Sequence, residues 1–505
     1  MSEDAQQPKE AAKDHEPPAG AQTSATWSGG ETPLGYTARA GWVVLRKKDK
    51  PAAEIFSVAY VADTDDERPV TFVFNGGPGA SSAYLHLGAI GPKRVAFPAD
   101  GSLPEMPPRL VQNESSWLAF SDLVFVDPVG TGFSRVIERK RTEEKKPDSN
   151  GGEGKKDDAV DPKEYFGQKR DLESLCEFIG RWLSANGRWG SPMFIAGESY
   201  GGYRVGRLVR MLQETTGVGL NGAILVSPAL EIGTLNPTDY DVLGWIDTLP
   251  TMALAATHHG RSRVFAQDTP KEDVRREAET FAATELASFL VRGAAIQPDE
   301  RERVLTRLAD LVGLPADLVV RGEGRIPITT FARELLRDER KVLGLYDSTL
   351  TAIDPFPDRD SFAGPDPTLA GISPAYTMAV NQLLRAEIGV ETDREYTLLS
   401  YEVNEAWKDD AEQHAFLPIS GATDDFRYGM ALNPHMKAFV THGRYDLVTP
   451  YYASDRLRNL MRLGPQMADR LTVRHFDGGH MFYAWDASRR SFGEAIAAFV
   501  ADALA

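Results

Sequence analysis

Six short apolar runs, most of them bounded by glycine or proline, constrain the fold of this chain more than any other feature. The runs are Pro69–Phe74, Leu123–Asp127, Pro192–Gly197, Gly222–Ser227, Met436–Gly443 and Arg470–Phe476. Because they are apolar on both faces, they are typical of strands covered by helices on both sides of a mostly parallel sheet. Thr37–Arg46 and Ala53–Ala62 alternate enough to predict a hairpin. Apolar spacing over 172–183 predicts an amphipathic helix.

A long helix-rich stretch separates the fourth run from the fifth. Within it, Asp268–Arg292 and Pro298–Gly313 have helical periodicity and begin with residues common at helix starts. Strand signals resume only afterwards, so we predict a helical cap inserted into an α/β core. The predicted division is a disordered polar segment at 1–30, a core of 31–230 and 431–505 with a charged surface insertion at 139–163, and a cap at 231–430.

Charge and cysteine content exclude several classes of protein. The chain has 56 Lys and Arg against 73 Asp and Glu, and the net charge of −17 disfavours binding to nucleic-acid phosphates. The one cysteine, Cys176, cannot form an intramolecular disulfide, which excludes a disulfide-stapled scaffold and a zinc site of several thiolates. It lies on the apolar stripe of the helix at 172–183, so we expect it to be buried.

Neither a membrane segment nor an export signal is visible in the sequence. No apolar run reaches the length of a membrane span, so we expect no membrane partner. Met1–Thr23 is polar and lacks the apolar stretch of a signal peptide. We therefore expect a cytoplasmic protein, or a periplasmic or secreted one if the numbering begins after a removed leader.

A G-x-S-x-G motif, Gly197-Glu198-Ser199-Tyr200-Gly201, lies between a predicted strand and a predicted helix. In that context the serine sits on a sharp turn that exposes its hydroxyl, and the small residues on either side relieve crowding. Ser199 is therefore the candidate nucleophile, and the alternative is a purely structural turn.

A serine nucleophile needs a base, and the base needs a carboxylate to orient it. His480 is the candidate base because it follows the last predicted strand after two glycines, and His475, within that strand, is its rival. Asp446, which follows the preceding strand, is the candidate acid. Its competitor Asp477 is too close to His480 in sequence to reach the ring comfortably. The chain order Ser199, Asp446, His480 is that of α/β hydrolases, so we predict an α/β-hydrolase fold.

An oxyanion hole is expected from two backbone N–H groups near the nucleophile. Tyr200, the residue after the serine, would supply one of them. The segment Asn75–Gly79 would supply the other, because it follows a strand and its three glycines let the backbone approach a ligand closely. The alternatives for this segment are a simple Gly-Pro turn or a phosphate-binding loop, although no G-x-x-x-x-G-K-[ST] pattern is present.

Together these motifs resemble the serine carboxypeptidase family (peptidase family S10), and its bacterial members in particular. The matching blocks, in family order, are Asn75–Ser82, Val126–Ser134, Gly197–Gly202, His442–Asp446 and Gly478–His480. The resemblance implies an exopeptidase with an inserted cap, acting on peptides with no metal or organic cofactor. The site residues that it implies are a triad of Ser199, Asp446 and His480, oxyanion donors from Gly77 and Tyr200, and a site for the substrate's terminal carboxylate formed by Asn75, Gly76 and Glu198.

Recognition of a carboxylate by Glu198 requires a shared proton, since two like charges at that distance cannot both ionise. We therefore expect recognition to strengthen as pH falls, and the alternative is that Glu198 only structures the turn. The family usually has a second glutamate where this sequence has Ala89. The proton-sharing network is then smaller, and we expect a weaker preference for acid pH.

The sequence thus predicts a serine-type carboxypeptidase that works through an acyl-enzyme. An esterase or acyltransferase with the same triad is the alternative, because a fold does not set its substrate and Ala89 removes the usual acid. A non-catalytic binding protein is a third hypothesis, which the presence of all three triad residues disfavours. A homodimer is one expectation for assembly.

Overall fold

The fold is built on one ten-stranded sheet, in a computed structural model that describes residues 15–137, 162–359, 364, 366–408 and 421–505. The strands in these ranges are β1 (Ala21–Trp27), β2 (Leu34–Lys47), β3 (Lys50–Ala62), β4 (Val70–Phe74), β5 (Lys93–Val95), β6 (Leu110–Gln112), β7 (Asp122–Val126), β8 (Arg135–Val136), β9 (Met193–Glu198), β10 (Gly222–Val226), β11 (Lys341–Leu343), β12 (Thr351–Ile353), β13 (Lys437–Thr441) and β14 (Leu471–Val473). The order in the sheet is β1-β2-β3-β7-β4-β9-β10-β13-β14, and β8 pairs with β3. Strands β5 and β6, and β11 and β12, form separate two-stranded sheets.

Two kinds of pairing divide this sheet. Strands β1, β2, β3 and β7 pair antiparallel, whereas the strands from β7 onward in the sheet order pair parallel. Strands β4, β7, β9 and β10 are buried along their whole length. A strand covered on both faces needs no polar side, which is why these sequences do not alternate. The predicted apolar strands and the β2–β3 hairpin are confirmed.

Helices cover both faces of the sheet. Those in the described ranges are α1 (Ala83–Leu85), α2 (Gln168–Asn186), α3 (Tyr200–Met211), α4 (Leu243–His258), α5 (Lys271–Phe281), α6 (Ala287–Arg292), α7 (Pro298–Val312), α8 (Ala316–Arg321), α9 (Ile328–Glu334), α10 (Pro367–Asn381), α11 (Tyr401–Ala406), α12 (Thr423–Leu432), α13 (Tyr451–Leu460), α14 (Pro465–Ala468) and α15 (Asp486–Leu504). Apolar side chains of α2, α3 and α12 pack on one face, and those of α10 and α15 on the other. This arrangement is the predicted α/β-hydrolase fold.

Helices α4 to α9 pack around one hydrophobic cluster, which also includes Leu343 of β11 and Leu447. Its buried side chains include Ile246, Phe281, Leu308 and Phe331. By contrast, α10 and α12 pack within the clusters that contain the sheet residues. Packing therefore separates α4 to α9 from α10 and α12, while the cap boundaries at 231 and 430 stay a prediction.

Part of the N-terminal polar segment is ordered. Strand β1 pairs antiparallel with β2 along its seven residues, and the indole N–H of Trp27 donates to the backbone oxygen of Asn113 at 2.7 Å. The prediction of disorder for 1–30 is therefore wrong for 21–27. Polar side chains do not prevent an edge strand, because its order comes from backbone hydrogen bonds and, here, from one buried indole.

The predicted amphipathic helix is α2, and its Cys176 is buried. Burial raises the pKa of this thiol to about 12. Across the described residues, no helix combines the length and the apolar character that crossing a membrane would need. Residues 1–14 of the polar segment and 139–161 of the charged insertion lie outside the described residues.

Candidate active site

The turn between β9 and α3 holds Ser199 in an unusual backbone conformation. Its φ is 61° and its ψ is −123°, a region that a non-glycine residue occupies only when its surroundings hold it there. The Ser199 N–H donates to the backbone oxygen of Val226 on the neighbouring strand, at 2.9 Å. A Cβ atom on Gly197 would lie 2.1 Å from the backbone oxygen of Gly201. The glycines of the motif are thus required by the close approach of strand and helix.

The loop after β4 brings a glycine against the nucleophile. A Cβ atom on Gly76 would lie 2.5 Å from the nitrogen of Tyr200 and 2.9 Å from the Cβ of Ser199. Gly77 has a φ of 96°, which favours glycine. The Tyr200 N–H is the first of α3 and has no partner within the helix. Two segments with backbone donors therefore meet beside Ser199, which is the arrangement an oxyanion hole needs.

His480 and Asp446 form a buried hydrogen-bonded pair. His480 Nδ1 lies 2.6 Å from Asp446 Oδ2, and both residues are buried. Asp446 follows β13 and His480 follows β14, which pair parallel, so both lie at the carboxyl edge of the sheet, as Ser199 does after β9. Burial lowers the pKa of His480, but the charge and the hydrogen bond of Asp446 raise it more, so this pKa lies above the ordinary value for histidine.

The Asp446 carboxylate is held in one orientation by other donors. Its Oδ1 accepts the N–H groups of Val448 at 2.9 Å and Thr449 at 3.0 Å, and its Oδ2 lies 2.6 Å from Thr449 Oγ1. Ser227 Oγ donates to the backbone oxygen of His480 at 2.9 Å. Rotation of the carboxylate would break two backbone hydrogen bonds, so Oδ2 stays directed at the imidazole.

The rival histidine and aspartate have other partners. His475 Nε2 lies 3.2 Å from Asp455 Oδ1. Asp477 Oδ2 accepts a hydrogen bond from Lys271 Nζ at 2.7 Å, and its side chain is partly exposed. The structure therefore pairs His480 with Asp446 and not with Asp477.

Glu198, the last residue of β9, is a buried carboxyl without a Lys or Arg partner among the described residues. Asn75 Nδ2 donates to its Oε2, and the Tyr483 hydroxyl lies 2.8 Å from Oε1 and 3.0 Å from Oε2. The orientation of Asn75 is set by its Oδ1, which accepts the Leu85 N–H at 2.9 Å. Burial raises the pKa of Glu198 to about 7, although the charge of His480 and the two hydrogen bonds lower it. The carboxyl therefore carries a proton below neutral pH.

A buried ion pair supports the loop that carries Asn75. Arg204 Nε lies 2.7 Å from Asp171 Oδ2 and Arg204 Nη2 lies 3.2 Å from Asp171 Oδ1. Arg204 Nη1 also donates to the backbone oxygen of Asn75 at 2.6 Å. The side chains are 1% and 3% exposed, so water does not weaken this contact. The pair ties α2 and α3 to the loop after β4.

One open pocket joins these groups. Six of the eight predicted site residues line it: Asn75, Gly76, Gly77, Glu198, Ser199 and His480. The other two lie behind the lining, Asp446 against His480 and Tyr200 against Gly76. Among the described side chains, the Ser199 hydroxyl makes no hydrogen bond to His480. Within the same ranges, no three His, Cys, Asp or Glu side chains cluster as a metal site would need.

Three residues that support the site were not predicted from the sequence: Tyr483, Thr449 and Arg204. An arginine on the buried face of α3 is a signal that could have been used, because such a charge requires an acidic partner. Thr449 lies three positions after Asp446, within reach of its carboxylate. No sequence signal points to Tyr483, whose contact with Glu198 joins residues 285 positions apart.

Comparison with known proteins finds similarity to serine carboxypeptidases. The model of the serine carboxypeptidase family, peptidase family S10, matches residues 29–244. Serine carboxypeptidase-like 36 from Arabidopsis thaliana is 31% identical over 36% of this chain and 33% of that protein. The pheromone-processing carboxypeptidase kex1 from Sclerotinia sclerotiorum is 29% identical over 28% of this chain and 18% of that protein. The chain thus spans about a third or less of the length of these relatives.

A solved structure extends the likeness over most of the chain. Kex1Δp, a prohormone-processing carboxypeptidase from Saccharomyces cerevisiae, covers 92% of each chain with a TM-score of 0.54 and 15% identity. Because the identity is low, this likeness establishes the α/β-hydrolase fold and nothing more. The sequence matches show similarity to peptidase family S10 over less than half of the chain. The predicted likeness to bacterial members stays a prediction, because these relatives are from a plant and from fungi.

Proposed function

We propose that this protein is a serine-type carboxypeptidase, which hydrolyses the C-terminal peptide bond of a peptide through an acyl-enzyme. One observation carries the proposal: Ser199, His480 and Glu198 line the same pocket. A nucleophile and a base alone would fit any ester or amide. A proton-bearing carboxyl beside them fits a substrate that itself ends in a carboxylate.

Acylation begins when the Ser199 hydroxyl attacks the carbonyl carbon of the last peptide bond. His480 Nε2 takes the hydroxyl proton, and Asp446 stabilises the imidazolium through Nδ1. The carbonyl oxygen becomes an oxyanion, which accepts hydrogen bonds from the N–H groups of Gly77 and Tyr200. The bond to nitrogen then breaks, and His480 returns the proton to the departing amine. The free C-terminal amino acid leaves, and the rest of the peptide stays esterified to Ser199.

Deacylation repeats these steps with water as the nucleophile. His480 takes a proton from water as its oxygen attacks the ester carbon, and the same backbone N–H groups receive the second oxyanion. The bond to the Ser199 oxygen breaks, and His480 returns the proton to it. In enzymes without bound substrate the hydrogen bond between serine and base is often long, which agrees with the Ser199 and His480 geometry here.

The carboxylate of the substrate would bind at Glu198, Asn75 and the N–H of Gly76. Protonated Glu198 donates a hydrogen bond to the carboxylate, whereas ionised Glu198 repels it. Binding at this end therefore selects peptides with a free C-terminus and places the last peptide bond next to Ser199.

The test uses an N-blocked dipeptide and the same dipeptide with its C-terminal carboxyl amidated. We expect release of the last residue from the free acid, loss of most of the rate with the amide, and no release by Ser199→Ala. Persistent release by Ser199→Ala would refute the nucleophile. Equal rates on acid and amide, together with rapid ester hydrolysis, would instead identify an esterase or acyltransferase with the same triad.

A further inference from the structure

We infer that Tyr483 is a positioning residue for carboxylate recognition, which directs the proton of Glu198 into the substrate pocket. This inference rests on the proposed function. Tyr483 follows His480 by three residues, and its hydroxyl lies 2.8 Å and 3.0 Å from the two oxygens of Glu198. Neither its ring nor its hydroxyl lines the pocket that contains Ser199. It therefore acts through Glu198 and does not touch the substrate.

The directions of the hydrogen bonds around Glu198 carry the argument. Asn75 must donate to Glu198 through Nδ2, because its Oδ1 already accepts the Leu85 N–H. Tyr483 brings a second donor, its hydroxyl, to the same carboxyl. A proton on Glu198 that pointed at Asn75 Nδ2 would place two hydrogens together, and one that pointed at the Tyr483 oxygen would make the phenol give up its own hydrogen bond to the carboxyl. The favourable direction left is toward the pocket, where a substrate carboxylate can accept it.

The packing around Tyr483 fixes where its hydroxyl lies. The ring is 1% exposed, and a Cβ atom on Gly88 would lie 2.4 Å from its Cε2. A glycine at 88 therefore leaves the room that the ring occupies.

The titratable groups around Glu198 come from several elements. His480 and Asp446 lie at the strand ends, and Tyr84 of α1, Tyr376 of α10 and Tyr483 face it from the helical side. Burial and the Glu198 charge raise the pKa of Tyr483 well above its ordinary value. The phenol therefore stays a donor at every pH at which the enzyme works. The recognition site then titrates through Glu198, and His480 titrates as the base.

The test compares Tyr483→Phe with Tyr376→Phe. Both changes remove one buried phenol oxygen, but the Tyr376 hydroxyl has no hydrogen-bond partner among the described residues. In Tyr483→Phe we expect KM for the N-blocked dipeptide at pH 5.5 to rise about fivefold with kcat little changed, because one hydrogen bond that orients the acid is lost. The alkaline limb of kcat/KM should move up by about one pH unit, because the ionised form of Glu198 loses a donor.

Two further measurements separate this inference from the proposed function and from simple misfolding. The dissociation constant of the dipeptide is measured by calorimetry across pH in Ser199→Ala, with and without Tyr483→Phe, so no turnover is needed. In a Glu198→Gln background, Tyr483→Phe should no longer shift the pH profile. Thermal unfolding and labelling of Ser199 by a fluorophosphonate report the integrity of each variant.

Each outcome has one meaning. A shifted pH profile in Tyr483→Phe that is absent from Tyr376→Phe and from the Glu198→Gln background supports the inference. Identical pH profiles for binding in Tyr483→Phe and the parent overturn it, even if KM or stability changes. Failure of the wild type to release C-terminal residues overturns the proposed function, which the binding profiles do not measure.

Discussion

Asp446→Asn should inactivate the enzyme by reversing the tautomer of His480 while leaving the fold intact. Because Asp446 Oδ1 accepts the N–H groups of Val448 and Thr449 at 2.9 and 3.0 Å, an asparagine must place its carbonyl oxygen there. Its NH₂ group then faces His480 Nδ1, where the carboxylate oxygen now lies at 2.6 Å. Nδ1 is forced to accept, so the ring proton moves to Nε2. An Nε2 that carries a proton cannot take one from Ser199.

The expected loss is large because two effects act together. The wrong tautomer removes the general base, and the loss of the carboxylate charge removes the stabilisation of the imidazolium. A reversed tautomer in a serine triad lowers kcat about 10⁴-fold, which corresponds to about 5.5 kcal/mol of activation free energy. The substitution keeps the volume of the side chain and both backbone hydrogen bonds, so the melting temperature should change by only a few degrees.

The assay is kcat on the N-blocked dipeptide, together with the rate of fluorophosphonate labelling of Ser199. Asp477→Asn is the matched control, because it is the same chemical change at the aspartate that bonds Lys271 Nζ at 2.7 Å and not His480. We expect Asp477→Asn to retain its kcat within about twofold, as for a change away from the reacting atoms. A kcat in Asp446→Asn within tenfold of the wild type, or an equal loss in Asp477→Asn, would refute the reasoning.

Two other predictions follow from buried charges. Because only protonated Glu198 can bind a carboxylate and its pKa is about 7, KM of the wild type should rise about tenfold from pH 6 to pH 8. Glu198→Gln cannot ionise, so its KM should stay level over the same range, and a parallel rise in both would contradict this account. Asp171→Asn leaves the Arg204 charge buried without its partner at 2.7 Å and should cost about 3–5 kcal/mol of unfolding free energy, seen as a lower urea midpoint. Combining Asp171→Leu with Arg204→Met should recover most of that loss, and an unchanged midpoint in the single variant would show that the pair does not stabilise the fold.

Local chemistry made the nucleophile and the sheet predictable. Apolar runs without alternation belong to strands buried on both faces, and the structure has such strands at β4, β7, β9 and β10. The glycines around Ser199 could be recognised because a strand-to-helix turn excludes a Cβ at 197, where one would lie 2.1 Å from a backbone oxygen. Residues 21–27 were wrongly predicted to be disordered because they are polar. Their order comes from backbone pairing with β2, which side-chain composition does not reveal.

Contacts between segments that are distant in the sequence could not be predicted from residue types and spacing. The sequence contains two candidates, Asp446 and Asp477, for the carboxylate that orients His480. The parallel pairing of β13 with β14 brings the ends of these strands together, and Asp446 is therefore the one that contacts His480. The sequence indicated that Glu198 binds the substrate carboxylate, but the pKa of Glu198 is about 7 because the folded chain buries it. Tyr483 approaches Glu198 only because the chain folds back over 285 positions. Residue types and short spacings specify which groups can react, whereas burial and hydrogen-bond direction, which set their protonation, exist only once remote segments pack together.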